Sequence, residues 1–279
     1  MILKQGDPGS MELRIQRKLL EELTKIADTA GDAIMAVYEG DFTVEFKDDK
    51  SPLTEADRAS HRIIRDSLAS LTPDLPVLSE ESSAEEIESR CDWQCYWLVD
   101  PLDGTKEFVK RNGEFTVNIA LIEDNRAVLG VVGAPALKIA YRGALGLGAW
   151  RRGADGLSVP IRVSRAHSRP LRVVGSRSHP SAELASFLEA VGAHELKPIG
   201  SSLKICLVAD GQADIYPRLG PTSEWDTAAA QAILESAGGG MMDLAGQTLS
   251  YNTKDDLLNP QFLAFGDPER QWLQAVRSE

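Results

Sequence analysis

The first part of the chain follows a helical pattern of apolar and polar positions. Apolar residues recur at spacings of three and four over residues 11–38, which predicts one long amphipathic helix. An alternating stretch at residues 42–46 predicts a strand, and a second helix is predicted over residues 54–71. Thr54 and Asp57 have the spacing of a capping box at the start of that helix. We therefore expect two helices separated by a short strand and a loop.

The middle of the chain predicts a sheet. Short apolar runs predict strands at residues 76–78 and 96–99, and each run is followed by acidic residues. A hairpin is predicted from strands at residues 116–122 and 127–134, and the glycine-rich stretch over residues 141–150 continues the sheet. Because the acids follow strand ends, a functional site is expected here.

The pattern changes near residue 160, after which short strands alternate with helices. Strands are predicted at residues 171–175 and 213–217, a strand or loop at 198–201, and helices at 182–191, 203–209 and 227–237. We therefore expect an N-terminal α+β domain over residues 11–160 and a C-terminal α/β domain over residues 161–279. Residues 1–10, which contain Gly-Asp-Pro-Gly-Ser before a second methionine, resemble a remnant of expression cloning and are set apart from the fold.

The composition is acidic, with 42 Asp and Glu against 30 Lys and Arg and a formal net charge of −12. Such a chain is poorly suited to a sequence-independent hold on nucleic-acid phosphates, so no nucleic-acid partner is expected. The excess of acid is uneven, because residues 161–220 carry eight bases and five acids. A small anionic ligand is compatible with this basic segment.

Cysteine usage and hydropathy indicate a reducing, aqueous compartment. Cys91, Cys95 and Cys206 lack paired C-x-x-C spacing, which argues against a disulfide framework and a structural zinc site. No basic-then-apolar leader pattern is present and no apolar run approaches about 18 residues, so no transmembrane segment is expected. We expect a cytoplasmic protein. A peripheral position on the cytoplasmic face of the inner membrane and the choice between monomer and homodimer are left open.

The strongest chemical signal is Asp-Pro-Leu-Asp-Gly-Thr at residues 100–105, which follows an apolar strand. Pro101 and Gly104 favour a tight turn that can aim both carboxylates and the Leu102 carbonyl into one space. These oxygens are the ligands that hard divalent cations prefer, and Mg²⁺ is the natural candidate. Gly104 and Thr105 would then begin a helical turn whose N–H groups can bind phosphate. The alternative is an ordinary Asp-Gly turn with solvated acids.

Two further acids extend this candidate site. Glu80 ends a short apolar strand, and Asp226 stands at the predicted N-cap of an alanine-rich helix. Taken singly, Glu80 is typical of a solvated acidic pair and Asp226 of a structural cap. Convergence with Asp100 and Asp103 favours function, because ligands in such folds come from several loops at strand ends and helix N-termini.

These segments resemble a known family. Ser-Glu-Glu-Ser at residues 79–82, the segment at 100–105 and Trp-Asp-Thr-Ala-Ala at 225–229, in this order, resemble the inositol monophosphatase superfamily of magnesium-dependent, lithium-sensitive phosphatases. The likeness spans nearly the whole chain after residue 10. Residues 105–108, 111–120 and 200–204 are similar to the bacterial CysQ-type branch, the 3′(2′),5′-bisphosphate nucleotidases. The resemblance implies a layered αβαβα sugar-phosphatase fold, an α+β or α/β architecture.

The resemblance also implies roles for individual residues. The implied metal ligands are Glu80, Asp100, the carbonyl of Leu102, Asp103 and Asp226. They would hold about two or three Mg²⁺ ions at a site that Li⁺ inhibits. Asp57 is implied to pair with Thr105, and these two residues with Glu80 form the catalytic set that would hold the attacking water.

The substrate side of the site is predicted from a second group of residues. The stretch Gly175-Ser176-Arg177-Ser178-His179 resembles the segment that lines the nucleotide side in CysQ-type enzymes, where Arg177 or His179 would meet a second phosphate or stack on adenine. The alternative for both is a helix-start turn with surface side chains, and lysines on helices, such as Lys204, are mostly solvated. The whole predicted substrate-binding set is Glu80, Leu102, Asp103, Gly104, Thr105, Gly175, Arg177, Ser178, His179, Ser202, Lys204, Arg218 and Asp226.

The implied function is Mg²⁺-dependent removal of the 3′-phosphate from adenosine 3′,5′-bisphosphate, a small nucleotide, to give AMP and phosphate. The 5′-phosphosulfate form of the same nucleotide is a second implied substrate, which places the reaction in sulfate assimilation. The alternative enzyme is an inositol or sugar monophosphatase on the same scaffold. The alternative from another class is a catalytically silent metal-binding protein, and the presence of Thr105 and Asp57 speaks against it.

Overall fold

Two stacked β-sheets with layers of helices form the structure. The computed structural model describes residues 8–46, 52–165, 170–178 and 182–276. The helices are α1 (Pro8–Glu39), α2 (Glu55–Leu71), α3 (Ala84–Ser89), α4 (Thr105–Val109), α5 (Ala182–Val191), α6 (Leu203–Ala209) and α7 (Ala228–Ser236). The strands are β1 (Glu45–Phe46), β2 (Pro52–Leu53), β3 (Val77–Ser79), β4 (Cys95–Asp103), β5 (Thr116–Glu123), β6 (Arg126–Ala134), β7 (Ile139–Ala144), β8 (Gly148–Arg152), β9 (Ser158–Ile161), β10 (Leu171–Ser176), β11 (His194–Ile199), β12 (Ile215–Arg218), β13 (Gly240–Asp243) and β14 (Phe262–Phe265).

The larger sheet contains β3 to β9 in sequence order. The β3–β4 pair is parallel and the pairs that follow are antiparallel. Because successive side chains of a strand point to opposite faces, Trp97 and Val99 pack with α1 and α2, while Leu98 packs into the central core. The predicted hairpin over residues 116–134 is confirmed as β5 and β6.

The smaller sheet has the order β11-β10-β12-β14-β13. Its inner face shares the central core with α6 and α7, and its outer face packs Leu171, Val173 and Ile215 against Phe187 of α5. The layers therefore run α1 and α2, larger sheet, α6 and α7, smaller sheet, α5. This order confirms the αβαβα fold that the sequence resemblance implies.

Helix α1 forms because its apolar stripe is buried. Leu20, Leu23, Ala27 and Ile34 lie on one face at helical spacing, and none is more than 2% exposed. The helix begins at Pro8, so residues 8–10 belong to an element of the fold although the sequence pattern set them apart. Proline is tolerated in the first turn of a helix, where its missing N–H would have no helical partner. Residues 1–7 lie outside the described residues.

Helix α7 lies directly on the larger sheet. A Cβ atom on Gly130 of β6 would lie 2.1 Å from the Ala229 carbonyl oxygen, so the helix can come this close only because residue 130 is glycine. The C-terminal half of the chain thus packs a helix against the sheet of the N-terminal half. The predicted boundary at residue 160 falls within β9, the last strand of the larger sheet, and the two halves share one core.

The strand predicted over residues 42–46 is largely wrong. Only Glu45 and Phe46 pair, with Leu53 and Pro52 respectively. The partner strand ends at Leu53 because Thr54 caps helix α2, so residues 42–44 lie beyond the pairing. Within the described part of the chain, no helix combines the length and apolar composition that crossing a bilayer requires.

Candidate active site

Asp100 and Asp103 lie beside a break in the pairing of β4. Asp100 is opposite Asn118 of β5 and Asp103 is opposite Thr116, so the interval is longer on β4 than on β5. Residues three apart on a regular strand would point to opposite faces, and the bulge allows both side chains to reach one cavity. The turn predicted from Pro101 is therefore a β-bulge at the edge of the core.

The residue after this bulge changes the direction of the chain. Gly104 has φ +87°, in the left-handed region that glycine adopts without strain, and Thr105 begins helix α4. The helical turn predicted at these residues is therefore present. The Thr105 hydroxyl donates to Asp57 at 3.4 Å and to the Leu102 carbonyl at 3.2 Å, so the implied pairing of Asp57 with Thr105 is also present.

Asp226 occupies a different position from the predicted helix N-cap. It is the last residue of a 3-10 turn over Glu224–Asp226, and Thr227 is the residue at the N-cap of α7. The Ser223 N–H donates to the Asp226 carboxylate at 2.9 Å, so Asp226 caps the turn that precedes the helix. The N-cap prediction is wrong because a 3-10 turn and an α-helix use the same local capping pattern.

Three carboxylates converge in the cavity. Asp100, Asp103 and Asp226 each offer an oxygen, and these oxygens lie within 4.8 Å of one another. Burial, together with the charges of Glu80, Asp103 and Asp226, raises the pKa of Asp100 well above its ordinary value. Burial and the charge of Asp103 raise the pKa of Asp226 to about 8. Clustered oxygen donors that repel one another when ionised suit a hard divalent cation, so these residues fit a metal.

Two other predicted groups lie close to this cluster. Glu80 lines the same cavity, although its carboxylate stands outside the group of three. The buried carboxylate of Asp57 accepts the Thr54 N–H at 2.7 Å, as the capping box predicts, and burial raises the pKa of Asp57. Helix α2 therefore holds Asp57 where its carboxylate accepts the Thr105 hydroxyl.

Cationic groups line the same cavity. Lys204 of α6 is only 7% exposed, donates from Nζ to the Ser201 carbonyl at 2.6 Å and lies 5.4 Å from the Tyr216 ring centroid. Burial lowers the pKa of Lys204 to about 8. Arg218 lines the cavity and donates to the Pro221 carbonyl. The three carboxylates and the two cations, hereafter the acidic end and the basic end of the cavity, are close enough for their charges to act on one another.

A model of the inositol monophosphatase family matches residues 15–274 of the chain. The chain belongs to this family. It is 54% identical to the 3′(2′),5′-bisphosphate nucleotidase CysQ of Salmonella typhimurium, over 88% of this chain and 98% of that protein. It is 52% identical to the CysQ protein of Escherichia coli K12, over 88% and 98% of the two chains.

Solved structures in the inositol monophosphatase family share the fold. The crystal structure of CysQ from Bacteroides thetaiotaomicron superposes with a TM-score of 0.79 at 41% identity, over 90% of this chain and 98% of that chain. An inositol monophosphatase from Anabaena superposes with a TM-score of 0.72 at 25% identity, over 94% and 96%. Enzymes of this family are metal-dependent, and the acidic cluster of this chain is a candidate for that metal.

Three of the predicted substrate-side residues, Gly175, Arg177 and Ser178, do not line the cavity. Gly175 lies within β10, and Arg177, whose side chain is 41% exposed, is ion-paired with Glu114. Ser178 hydrogen-bonds Glu107, and Lys110 donates to it at 2.6 Å. His179 lies outside the described residues. Their roles toward a substrate stay predictions.

Other cavity-lining residues were not predicted from the sequence. Ser201, Tyr216, Thr222 and Phe262 line the cavity. Ser201 follows Gly200 and precedes Ser202, so its place in the matching Gly-Ser-Ser segment was an available signal. Tyr216 and Phe262 resemble ordinary strand residues in sequence, and only the alignment of β12 with β14 brings them together.

Proposed function

We propose that this chain is a Mg²⁺-dependent phosphomonoesterase that removes the 3′-phosphate of adenosine 3′,5′-bisphosphate to give AMP and phosphate. The observation that carries the proposal is one cavity lined both by three convergent carboxylates and by Lys204 and Arg218. A bisphosphate nucleotide has a phosphate for each end. The names of the CysQ relatives support this substrate class.

The acidic end would hold the metal. Asp100, Asp103 and Asp226, with Glu80 and the Leu102 carbonyl beside them, are the proposed ligands. Bound Mg²⁺ would neutralise phosphate oxygens and lower the pKa of a water, which supplies a nucleophile near neutral pH. Inhibition by Li⁺ is part of the proposal.

Thr105 and Asp57 would orient the attacking water. The Thr105 hydroxyl donates its hydrogen toward Asp57 and the Leu102 carbonyl, which leaves its oxygen lone pairs as acceptors. A water that donates to this oxygen would be held in a fixed direction. Positioning of this kind matters because phosphoryl transfer is catalysed mainly by alignment and electrostatic stabilisation.

Lys204 and Arg218 would bind the phosphate that does not react. Both cations face the cavity, and charge-assisted hydrogen bonds to a phosphate are stronger than neutral ones. Ser202, Gly104 and the carboxylates near them would contact the scissile phosphate and its metal. The cytoplasmic location and the choice of monomer or homodimer stay predictions from the sequence.

One observation favours an inositol or sugar monophosphatase instead. Arg177, predicted to meet the second phosphate, is bound to Glu114 and does not line the cavity. Release of phosphate from adenosine 3′,5′-bisphosphate, AMP and inositol 1-phosphate should therefore be compared at equal Mg²⁺. We expect the bisphosphate nucleotide to have the highest kcat/KM, and a higher value for inositol 1-phosphate would reverse the assignment.

Removal of metal is the second test of the function. In excess chelator we expect phosphate release to stop and to return when Mg²⁺ is restored, because the clustered carboxylates cannot bind a phosphate without a cation between them. Phosphate release by a colorimetric assay measures this. Full turnover in excess chelator would contradict the metal mechanism.

A further inference from the structure

The carboxylate of Glu114 connects the two halves of the cavity wall. One oxygen accepts the Gly200 N–H at 2.8 Å and the Nε of Arg177 at 2.7 Å. The other oxygen accepts a terminal nitrogen of Arg177 at 2.7 Å. The side chain is 16% exposed. An acid of the N-terminal half therefore holds two segments of the C-terminal half, at the ends of β10 and β11.

Close backbone packing accompanies these hydrogen bonds. A Cβ atom on Gly200 would lie 2.6 Å from the Glu114 carbonyl oxygen, and one on Gly104 would lie 3.2 Å from that same oxygen and 3.3 Å from the Cβ of Ser201. Gly104 immediately follows Asp103 in the chain. Residue 114 is thus in contact both with the turn after a proposed metal ligand and with the turn at residues 200–202.

The turn at residues 200–202 holds the Asp103 carboxylate by hydrogen bonds. The N–H and the hydroxyl of Ser202 both donate to one Asp103 oxygen at 2.6 Å. Ser201 has φ +49°, a left-handed conformation that a serine adopts at a cost, so neighbours must hold this turn in place. Glu114 is a neighbour that binds the turn directly, through Gly200.

We propose that Glu114 is a positioning residue for the active site, and that Arg177 acts by holding Glu114 and not by touching the substrate. Arg177 donates to both Glu114 oxygens and to the Pro198 carbonyl at 2.9 Å, so its guanidinium is bound to the cavity wall. The chain of contacts runs from Arg177 through Glu114 and the 200–202 turn to Asp103. The inference rests on the proposed function for its choice of nucleotide substrate.

Glu114→Ala and Glu114→Gln test the positioning role. Mutation of residues that hold metal ligands typically changes metal affinity or activity by 10- to 100-fold. Because Glu114 acts on Asp103 through the 200–202 turn, we expect Glu114→Ala to weaken Mn²⁺ binding and to raise KM by roughly tenfold. Saturating kcat should change by less than about threefold, since no reacting group is removed. Glu114→Gln keeps an oxygen for the Gly200 N–H and should fall between Glu114→Ala and the wild type. Mn²⁺ titration calorimetry of the metal-free protein gives a readout that does not depend on turnover.

Glu235→Gln is the matched control. Glu235 is 14% exposed, pairs with Arg126 at 3.4 Å and accepts from Gln231 at 2.8 Å, and it does not line the cavity. We expect this variant to match the wild type in Mn²⁺ affinity and KM. Equal behaviour of Glu114→Ala and Glu235→Gln, or a fall in kcat with KM and Mn²⁺ affinity unchanged, would overturn the proposal.

A double-mutant cycle decides how Arg177 acts. If Arg177 works through Glu114, Arg177→Ala should raise KM in the wild type and have no further effect in Glu114→Ala. An equal rise in both backgrounds would show that Arg177 contacts the substrate and would overturn the proposal. If Glu114→Ala shows no cooperative thermal unfolding transition, Glu114→Gln replaces it in the cycle. Absence of nucleotide hydrolysis by the wild type would reject the proposed function, while the Mn²⁺ titrations would still test Glu114.

Discussion

The two ends of the cavity meet the cost of buried charge in different ways. At the acidic end, Asp100, Asp103 and Asp226 face one another, and the pKa values of Asp100 and Asp226 are raised. At the basic end, Lys204 and Arg218 each donate to a backbone carbonyl. The carboxylates thus repel one another, as their raised pKa values show, whereas the cations, which also repel each other, are stabilised by neutral acceptors and by the nearby acids. The comparison indicates that a bound cation would relieve the repulsion at the acidic end, whereas backbone carbonyls already accept from both side chains of the basic end.

Replacement of a carboxylate at the acidic end should have the largest effect. Asp100→Asn removes a charge from the centre of the cluster and keeps the size of the side chain. Because changes to outer partners alone cost 10- to 100-fold, we expect the loss of a ligand to lower kcat/KM by more than about a hundredfold. Phosphate-release kinetics over a range of Mg²⁺ measure this. If Asp100→Asn keeps activity within about tenfold of the wild type, the carboxylates of the acidic end do not bind the catalytic metal.

Replacement of the lysine at the basic end should cost less and should depend on the substrate. Lys204→Met keeps the apolar stem and removes one charge-assisted contact, which is worth about 1.5–3 kcal/mol, so KM for the bisphosphate nucleotide should rise by about 10- to 100-fold. We expect a smaller effect on adenosine 3′-monophosphate as substrate, because it keeps the reacting phosphate and lacks the 5′-phosphate that Lys204 would bind. Equal changes for both substrates would place Lys204 at the reacting phosphate and remove the division of the cavity into two ends.

Metal binding should depend on pH, since Asp226 has a pKa of about 8 without metal. Below that pH the carboxyl is protonated and a cation must displace the proton, so we expect Mn²⁺ affinity to rise with pH, by up to about tenfold per unit, and to level off above about pH 8. Calorimetry in two buffers of different ionisation enthalpy counts the released protons. Affinity independent of pH between about 6 and 8 would show that the cluster is already ionised.

Stability of the metal-free protein should depend on pH in the opposite sense. A carboxyl whose pKa is raised by folding contributes stability while it is protonated, and that contribution is lost as pH rises from its ordinary 3.8 through about 8. We expect the metal-free protein to melt at a lower temperature at about pH 8.5 than at about pH 6. Mn²⁺ should reduce the difference, and thermal melting with and without chelator measures it. This is the smallest of the expected effects. A melting temperature of the metal-free protein that rises with pH would contradict it.

The acidic end was predictable because its signals are local. Asp100, Asp103 and Gly104 lie within five residues, at the end of an apolar strand and the start of a helix, and their pattern matches a known family. Asp226 was assigned to the site by its expected convergence with the other acids and by that resemblance, while its local geometry was mistaken for a helix cap. The layered fold followed from the same likeness, since strand order and sheet pairing are not visible in periodicity alone.

The basic end and the cavity wall were harder to predict. Arg177 and Glu114 are 63 residues apart in sequence, and nothing in the pattern of either segment shows that they pair. Sequence position suggested an exposed cation available to a substrate, whereas the structure places the partly buried carboxylate of Glu114 beside it. Lys204 was recognisable as a candidate, but its burial depends on α6 lying between the two sheets.

The close seat of helix α7 on strand β6 has a consequence for unfolding. Helix α7 follows Asp226 directly and packs against Gly130 of β6 in the half that carries Asp100. The two halves therefore cannot move apart without losing this packing and separating the cluster. A cation bound to the cluster stabilises only the joined halves, by about 2.7 kcal/mol at a hundred times its dissociation constant. A bound metal would thus link the two halves thermodynamically, and we expect them to unfold together in one cooperative transition.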